Sequence, residues 1–228
     1  MNLLGNKYQI SLVSLLHVAA QLLLIFLPQN TQAQSNYYVE NEREFFGGII
    51  AGTNLSQIEG DGIAGYNKVG VNVGGIVYAR LKGPWAASME ILYSQKGSLA
   101  NYSQQIDYTL TLTHYSINLN YAEIPVLINV FDKHKNHASF GLSYSRLVGS
   151  TEGITTTPYH NFNFNAYPFQ QSDFNIVAGA WVHIKKGLFV NLRFQYSLVS
   201  IREIVPPEFN NSDQYNNMWV IRLMYLFM

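Results

Sequence analysis

The sequence contains no cysteine and few charged residues. The absence of cysteine excludes a disulfide framework, a cysteine-ligated zinc site, a thiol nucleophile and a lipid anchor on an N-terminal cysteine. Charged residues make up 12% of the chain, whereas soluble domains usually contain roughly 25%. The formal net charge is zero and no basic stripe is present, so the sequence does not indicate nucleic acid as a partner. We expect neither a cofactor nor a metal.

Hydrophobic residues, by contrast, make up 48% of the chain and aromatic residues 14%, including sixteen tyrosines. This composition is typical of a membrane-inserted β-barrel, which has an apolar outer face, a polar interior and aromatic girdles at both membrane interfaces. The 228 residues are enough for one domain with a complete core.

The N-terminal segment has the pattern of an export signal. Lys7 precedes an apolar run from Ile10 to Leu27, and the run is followed by a small-x-small site that ends at Ala33. Signal peptidase cleaves after sites of this kind. A membrane-anchoring helix is the alternative, and the polar His17 and Gln21 within the run disfavour it.

We therefore predict a signal peptide over residues 1–33, a short periplasmic lead-in over 34–44 and a barrel domain over 45–228. No later stretch has about 18 consecutive apolar residues, the length that a membrane-spanning helix needs. A closed barrel can cross lipid without such a helix because its strands pair all of their backbone groups. The sequence thus predicts a protein of the bacterial outer membrane, in contact with its lipid.

Apolar and polar residues alternate along most of the chain after residue 44. The clearest example runs from Leu188 to Leu198, where every second residue is leucine, valine, phenylalanine or tyrosine. Such a period of two indicates a strand with one apolar face. Eight segments of this kind are predicted as strands, at 45–56, 66–82, 84–97, 115–131, 136–149, 172–185, 187–200 and 216–227.

The connections between these segments alternate in length. Long connections are predicted at 57–65, 98–114, 150–171 and 201–215, and short ones at Gly83, 132–135 and Lys186. Outer-membrane barrels have long loops outside and tight turns on the periplasmic side. The pattern predicts an all-β fold, an eight-stranded antiparallel up-and-down transmembrane β-barrel. The alternative is a soluble lipocalin-like carrier, whose apolar face would point inward.

One predicted strand changes phase. Its apolar residues are odd-numbered up to Tyr121 and even-numbered from Ile124, close to Pro125. Because proline lacks a backbone donor, we predict a β-bulge between Tyr121 and Ile124.

Four segments resemble the PorT-like family of outer-membrane barrels from Bacteroidetes. They are GGIIAGTNLSQI (47–58), MEILYSQKG (89–97), NYAEIPVL (120–127) and KGLFVNLRFQYS (186–197). The resemblance spans nearly the whole mature chain and implies an eight-stranded outer-membrane barrel. The founding member of that family is similar to a component of a protein-secretion and gliding apparatus. Such barrels usually end on an aromatic residue, whereas here Phe227 is penultimate and Met228 is last.

Alternation places five charged side chains inside the barrel: Arg80, Glu90, Glu123, Arg193 and Arg222. An eight-stranded barrel has room inside for little more than its own side chains. We interpret these residues as a salt-bridged polar interior that neutralises buried charge. The alternative is a narrow channel for protons or ions.

The loops are the predicted binding region, because binding residues often lie on loops. The long loop at 150–171 contains five aromatic residues among asparagine, threonine and proline: Tyr159, Phe162, Phe164, Tyr167 and Phe169. Aromatic residues with little charge suit contact with another envelope protein or a surface glycan. Packing of these residues over the barrel mouth is an equal alternative.

We assign no catalytic residue. His114, Ser116 and Glu123 on one predicted strand are the candidates for a lipid-modifying hydrolase. The sequence favours a non-enzymatic barrel that acts through its extracellular loops or within an outer-membrane assembly, with a role in protein secretion as one form of this. It does not define the oligomeric state.

Overall fold

The computed structural model describes residues 44–63, 65–100, 104–107, 110–158, 167–202 and 213–227. The predicted signal peptide and nearly all of the predicted lead-in lie outside the described residues. Within those ranges, no helix has the length and apolar character needed to cross a membrane.

In the part of the chain that the structure describes, nine strands form one antiparallel sheet. They are β1 (Phe45–Glu59), β2 (Lys68–Arg80), β3 (Trp85–Ala100), β4 (Gln104–Asp107), β5 (Leu110–Phe131), β6 (His137–Thr157), β7 (Ser172–Lys185), β8 (Leu188–Ser197) and β9 (Tyr215–Leu226). Eight of them make a ring, because β1 pairs with β9 and β3 pairs with β5. The short β4 pairs with β5 alone among the described strands. The predicted eight-stranded up-and-down barrel is confirmed.

The outer face of the ring is apolar. In β9, every second side chain from Trp219 to Tyr225 is exposed, while the residues between them are buried. Aromatic side chains meet across neighbouring strands on this face: the ring centroids of Tyr144 and Phe174 are 5.3 Å apart, and those of Phe194 and Trp219 are 5.0 Å apart. The lipocalin-like arrangement is therefore wrong, since the apolar face points outward.

The connections are sorted by length between the two ends of the barrel. Tight turns join β2 to β3, β5 to β6 and β7 to β8, and we call this side the turn end. The other side, the loop end, carries the long connections. Strands β5 and β6 contain 22 and 21 residues, about twice the 9–11 residues that cross a bilayer. Their loop-end parts stay paired with each other through regions that were predicted to be loops.

The bulge predicted between Tyr121 and Ile124 is wrong. Odd-numbered residues of β5 point inward without interruption from Tyr115 to Asn129. The pairing shifts instead because β6 has an extra residue, Val148, opposite the step from Asn120 to Tyr121. The apolar residues change face along β5 because the barrel interior changes from apolar to polar, while the backbone keeps its phase.

A close backbone approach allows one large side chain to enter the interior. Gly52 of β1 lies opposite Arg222 of β9. A Cβ atom on Gly52 would lie 2.2 Å from the Ile221 carbonyl oxygen and 2.6 Å from the Arg222 Cα. Only glycine fits there without a shift of the backbone.

The barrel interior has three layers. At the loop end lies an apolar cluster of Ile58, Ile63, Ala100, Leu112, Tyr115, Ile117, Leu119, Tyr121 and Ile201. At the turn end lies a second cluster of Ile50, Ile76, Tyr78, Ala86, Leu92, Trp181, Phe189, Met224 and Leu226. The layer between them is polar and charged.

Candidate functional site

Among the described residues, the middle layer contains six charged side chains that are at most 1% exposed: Glu90, Lys96, Glu123, Asp173, Arg193 and Arg222. They come from β3, β5, β7, β8 and β9, because alternation on each strand turns these positions inward. Three are acidic and three are basic, so the layer is neutral when all six are ionised. We call these six residues the charge network.

Glu90 binds both arginines of the charge network. The Arg193 Nη2 atom lies 2.5 Å from Glu90 Oε1, and the Arg222 Nη1 atom lies 2.8 Å from Glu90 Oε2. Arg222 also donates from Nε to the Asn191 side-chain oxygen at 3.0 Å, and its Cζ atom lies 5.0 Å from the centre of the Trp181 ring. One carboxylate therefore compensates two guanidinium groups.

Lys96 has the opposite arrangement, with one ammonium between two carboxylates. Its Nζ atom lies 3.2 Å from Glu123 Oε1 and 3.7 Å from Asp173 Oδ2. Glu123 Oε1 also accepts hydrogen bonds from Ser143 and Ser145, each at 3.1 Å, and one from the Gln195 amide. The excess negative charge here balances the excess positive charge around Glu90.

Such a network holds the strands in one register. A buried charge that loses its partner costs about 3–5 kcal/mol, because the remaining ion stays out of water. A one-residue slip of any contributing strand would also turn its charge toward lipid. The network thus fills the middle of the barrel with ion pairs that connect different strands and are neutral overall.

The structure places four of the five charges predicted inside in this network, and the fifth is elsewhere. Arg80 is exposed, because β2 ends at this residue and its inward position is already at the turn end. Its Cζ atom lies 5.6 Å from the centre of the Phe46 ring. Lys96 and Asp173 were not among the residues predicted to lie inside. Lys96 has the same even parity as Glu90 within β3, so the same alternation could have found it.

Aromatic side chains fill the turn end of the interior. The Tyr78 hydroxyl lies 3.0 Å from His137 Nε2, and the His137 ring stacks on Phe131 with centroids 4.2 Å apart. Phe46 stacks on Tyr78 at 5.0 Å, and Trp181 stacks on His137 at 5.7 Å. This packed layer separates the charge network from the turn end of the barrel.

The loop end of the interior contains a second set of buried charges beside the apolar cluster. Arg202 forms an ion pair with Glu152, and its Cζ atom lies 3.8 Å from the centre of the Phe169 ring. The Tyr115 hydroxyl donates to Glu152 Oε1 at 3.5 Å. In the connection after β1, Asp61 is 1% exposed, and this burial raises the pKa of its carboxyl to about 6.

Two of the five aromatic residues predicted for loop binding are described. Phe169 is half-buried and packs against the apolar cluster at the loop end, and Tyr167 is also half-buried. Tyr159, Phe162 and Phe164 lie outside the described residues. The position of Phe169 favours packing over the barrel mouth for that residue.

The hydrolase candidates do not come together. His114 is exposed on the extended part of β5, on the opposite face from the inward residues. Glu123 lies inside the barrel and is engaged by Lys96 and its other partners. Within the described ranges, no three histidine, aspartate or glutamate side chains are grouped so that they could hold a metal ion.

The comparison with protein-family models agrees with this architecture. The family model for the outer membrane protein β-barrel domain matches residues 32–203. A comparison with curated protein sequences gives no match. Among solved structures, the chain is similar to Ail, the attachment invasion locus protein of Yersinia pestis, at 12% identity over 81% of this chain and 100% of that one, with a TM-score of 0.44.

A second structure of Ail, in complex with the heparin analogue sucrose octasulfate, matches at 9% identity over 81% of this chain and 100% of that one, with a TM-score of 0.43. The family model, which covers well over half of the sequence, is the decisive finding. It agrees with an eight-stranded ring that is apolar outside and charged inside. The chain belongs to the outer membrane protein β-barrel domain family.

Proposed function

We propose that this chain is a non-enzymatic outer-membrane barrel that acts through its extracellular end, by contact with another envelope protein or a surface glycan. The observation that supports this proposal is the filled interior. A neutral charge network lies between two apolar layers, so the barrel itself is used as a solid support. The activity then belongs to what the support displays.

The loop-end part of the β5–β6 hairpin is the described element best placed for such contact. On the loop-end side of the apolar outer face, the side chains of these two strands are mostly short and uncharged. The Thr113 hydroxyl donates to the Thr155 carbonyl oxygen at 3.0 Å, and the Asn118 amide donates to the Thr151 hydroxyl at 3.2 Å. Neutral hydrogen-bonding groups on a paired, rigid hairpin suit recognition of protein or glycan surfaces. General barrel topology assigns this end to the cell exterior.

Site-specific photo-crosslinking in intact cells tests the contact. A photoreactive phenylalanine analogue at Thr151 or Thr155 should give a discrete cross-linked product, since both residues are exposed on the hairpin. The matched control carries the analogue at Lys133, which is exposed in a turn at the opposite end. Products that are absent at Thr151 and Thr155, or equal to those at Lys133, would contradict the proposal.

A role within a protein-secretion assembly is the second candidate. The four motifs that resemble the PorT-like family of Bacteroidetes favour it. Under this candidate the protein should co-purify in mild detergent with a stable set of other envelope proteins. Migration as a lone barrel in native gels would count against an assembly and leave direct surface contact as the remaining role.

Export by a cleavable signal peptide is part of the same proposal. The site ending at Ala33 predicts Gln34 as the first residue of the mature protein. N-terminal sequencing of the protein from a purified outer-membrane fraction checks this. A mature chain that retains residues 1–33 would indicate an uncleaved anchor.

A further inference from the structure

Charged residues are sorted between the two ends of the barrel. The segments around the three tight turns, 80–84, 132–136 and 183–187, contain six basic residues and one acidic residue, and the exposed Glu44 before β1 is a second acidic residue at this end. The segments at the loop end, 57–68, 98–114, 149–171 and 198–214, contain seven acidic residues and two basic residues, Lys68 and Arg202. We call the six basic side chains at the turn end the cationic rim: Arg80, Lys82, Lys133, Lys135, Lys185 and Lys186.

All six side chains of the cationic rim are exposed. They lie on the turns β2–β3, β5–β6 and β7–β8, which occur at every second strand boundary around the ring. The positive charge is therefore distributed around the circumference of the barrel. A docked protein would contact one side of such a rim, whereas a lipid leaflet surrounds all of it.

The rim lies next to the membrane-facing surface. Trp85 follows the β2–β3 turn and is 47% exposed, and Ile184 precedes the β7–β8 turn and is 54% exposed. Tyr225 and Phe227, near the end of β9, are 50% and 54% exposed on the outer face. Aromatic residues at this depth are typical of the membrane interface, where lysine and arginine extend their charged ends to the headgroups.

The backbone of two turns favours a functional reason for lysine. Lys135 and Lys186 have φ values of 69° and 51°, in the left-handed region. Glycine or asparagine adopts this conformation at lower cost than lysine does. Both turns nevertheless carry lysine at that position, which indicates that the charge itself has a use.

The acidic residue within these turns offsets one positive charge, but its oxygens are directed into the turn and not toward the lysines. Asp132 Oδ1 accepts from the backbone N–H groups of His134 and Asn136 at 2.7 and 2.8 Å, and Oδ2 accepts from the Asn136 amide at 2.9 Å. The lysines on either side of His134 thus remain available to an external anion.

We propose that the cationic rim binds the phosphate groups of anionic phospholipids in the leaflet that faces the periplasm. Lysine binds phosphate as a point charge and needs no rigid pocket. Each basic residue beside an anionic leaflet increases the affinity for that leaflet about fivefold. The rim would hold the barrel at a fixed depth and select anionic lipids for the annulus around it.

Native mass spectrometry of the folded barrel in detergent tests the proposal. Phosphatidylglycerol and phosphatidylethanolamine are supplied in equal amounts, and the lipids that remain bound are counted. The wild-type barrel should retain more phosphatidylglycerol than phosphatidylethanolamine. In the rim variant K133Q/K135Q/K185Q/K186Q, the ratio of bound phosphatidylglycerol to bound phosphatidylethanolamine should fall at least fivefold. The control variant K68Q/R146Q, which removes two charges nearer the loop end, should keep it.

A damaged turn is separated from a lost charge by a second variant. K135G/K186G removes two charges and gives both turns a residue suited to the left-handed region. It should fold as the wild type does, by heat-modifiable migration in SDS gels, and should still retain less phosphatidylglycerol. Retention at the wild-type level in this variant and in the rim variant would overturn the proposal.

Two further outcomes identify a different ligand. Loss of bound phosphatidylglycerol on addition of inorganic phosphate at equal concentration would assign the rim to soluble phosphate and overturn the lipid assignment. Co-sedimentation with isolated peptidoglycan that the rim variant loses, with lipid retention unchanged, would assign it to the cell wall. Equal retention of both lipids by the wild type would also reject the proposal.

Discussion

Replacing Glu90 by glutamine should destabilise the barrel strongly. Glu90 is 0% exposed and is the carboxylate bound to both Arg193 and Arg222. Glutamine has nearly the same shape but carries no charge, so two guanidinium groups would remain in the interior with a net positive charge. Removing one partner from a buried ionic group costs about 3–5 kcal/mol, a large share of the roughly 5–15 kcal/mol that stabilises a folded domain.

The double variant E90Q/R222Q isolates charge from shape. It changes a second side chain of the charge network but restores neutrality, since one acid and one base are removed together. We expect it to be more stable than E90Q by about 0.5–3 kcal/mol, the usual range of coupling between residues in contact. Glu44→Gln, which removes an exposed carboxylate near the turn end, is the control and should change stability by less than about 0.5 kcal/mol.

Urea unfolding of the barrel refolded into lipid vesicles, followed by tryptophan fluorescence, measures these differences. Heat-modifiable migration in SDS gels shows which variants have folded. An E90Q barrel as stable as the control would refute the assigned cost of uncompensated charge. A double variant less stable than E90Q would show that packing, and not charge balance, decides the stability of this layer.

Three further predictions concern other parts of the barrel. Lys96→Met leaves two buried carboxylates without their ammonium and should cost about 3–5 kcal/mol in the same unfolding assay. The folded pKa of Asp61, raised by burial to about 6 from 3.8, means that its contribution to stability is lost as pH rises from about 4 to 6. Asp61→Asn should remove that decline, up to about 3 kcal/mol, and unfolding curves at pH 4 and pH 7 would show this; an unchanged pH dependence would argue against it. Gly52→Ala should cost about 1–3 kcal/mol because its Cβ atom meets backbone at 2.2 Å, whereas Gly75→Ala, with its nearest contact at 3.7 Å, serves as the tolerated control.

Most of the strand arrangement could be predicted from the sequence, because each of the eight ring strands has an apolar outer face over its membrane-facing part. In β9, for example, a period of two extends over the full strand and leaves one register possible. Length sorting of the connections then identified the two ends. The family match confirms the membrane assignment that this pattern predicts.

Alternation of apolar and polar residues misleads where the barrel interior is not uniform. In β5, Ile117 and Leu119 are apolar but point inward, and Glu123, four residues after Leu119, also points inward. A rule that equates apolar with outward therefore required a bulge that the backbone does not have. The same rule started β5 too late and ended β6 too early, since their extended parts pair with each other and show no apolar outer face.

The individual charge partners could not be predicted from alternation. Parity gives the direction of a side chain, and it is silent on height within the barrel. Arg80 and Glu90 both have inward parity, yet Arg80 is at the end of β2 and Glu90 is in the middle of β3. Height depends on the stagger between strands, which is set by pairings such as that of Ile76 with Glu90.

The charge network also has a consequence for the order of events during folding. Glu90 lies in the third strand along the chain, and its partners Arg193 and Arg222 follow 103 and 132 residues later. Contacts between such distant positions form late, because a long loop must first be closed. Until β8 and β9 arrive, the half-assembled barrel carries an unmatched carboxylate that lipid does not tolerate. We therefore expect the early strands to remain at the membrane surface until β8 and β9 close the ring and complete the neutral interior.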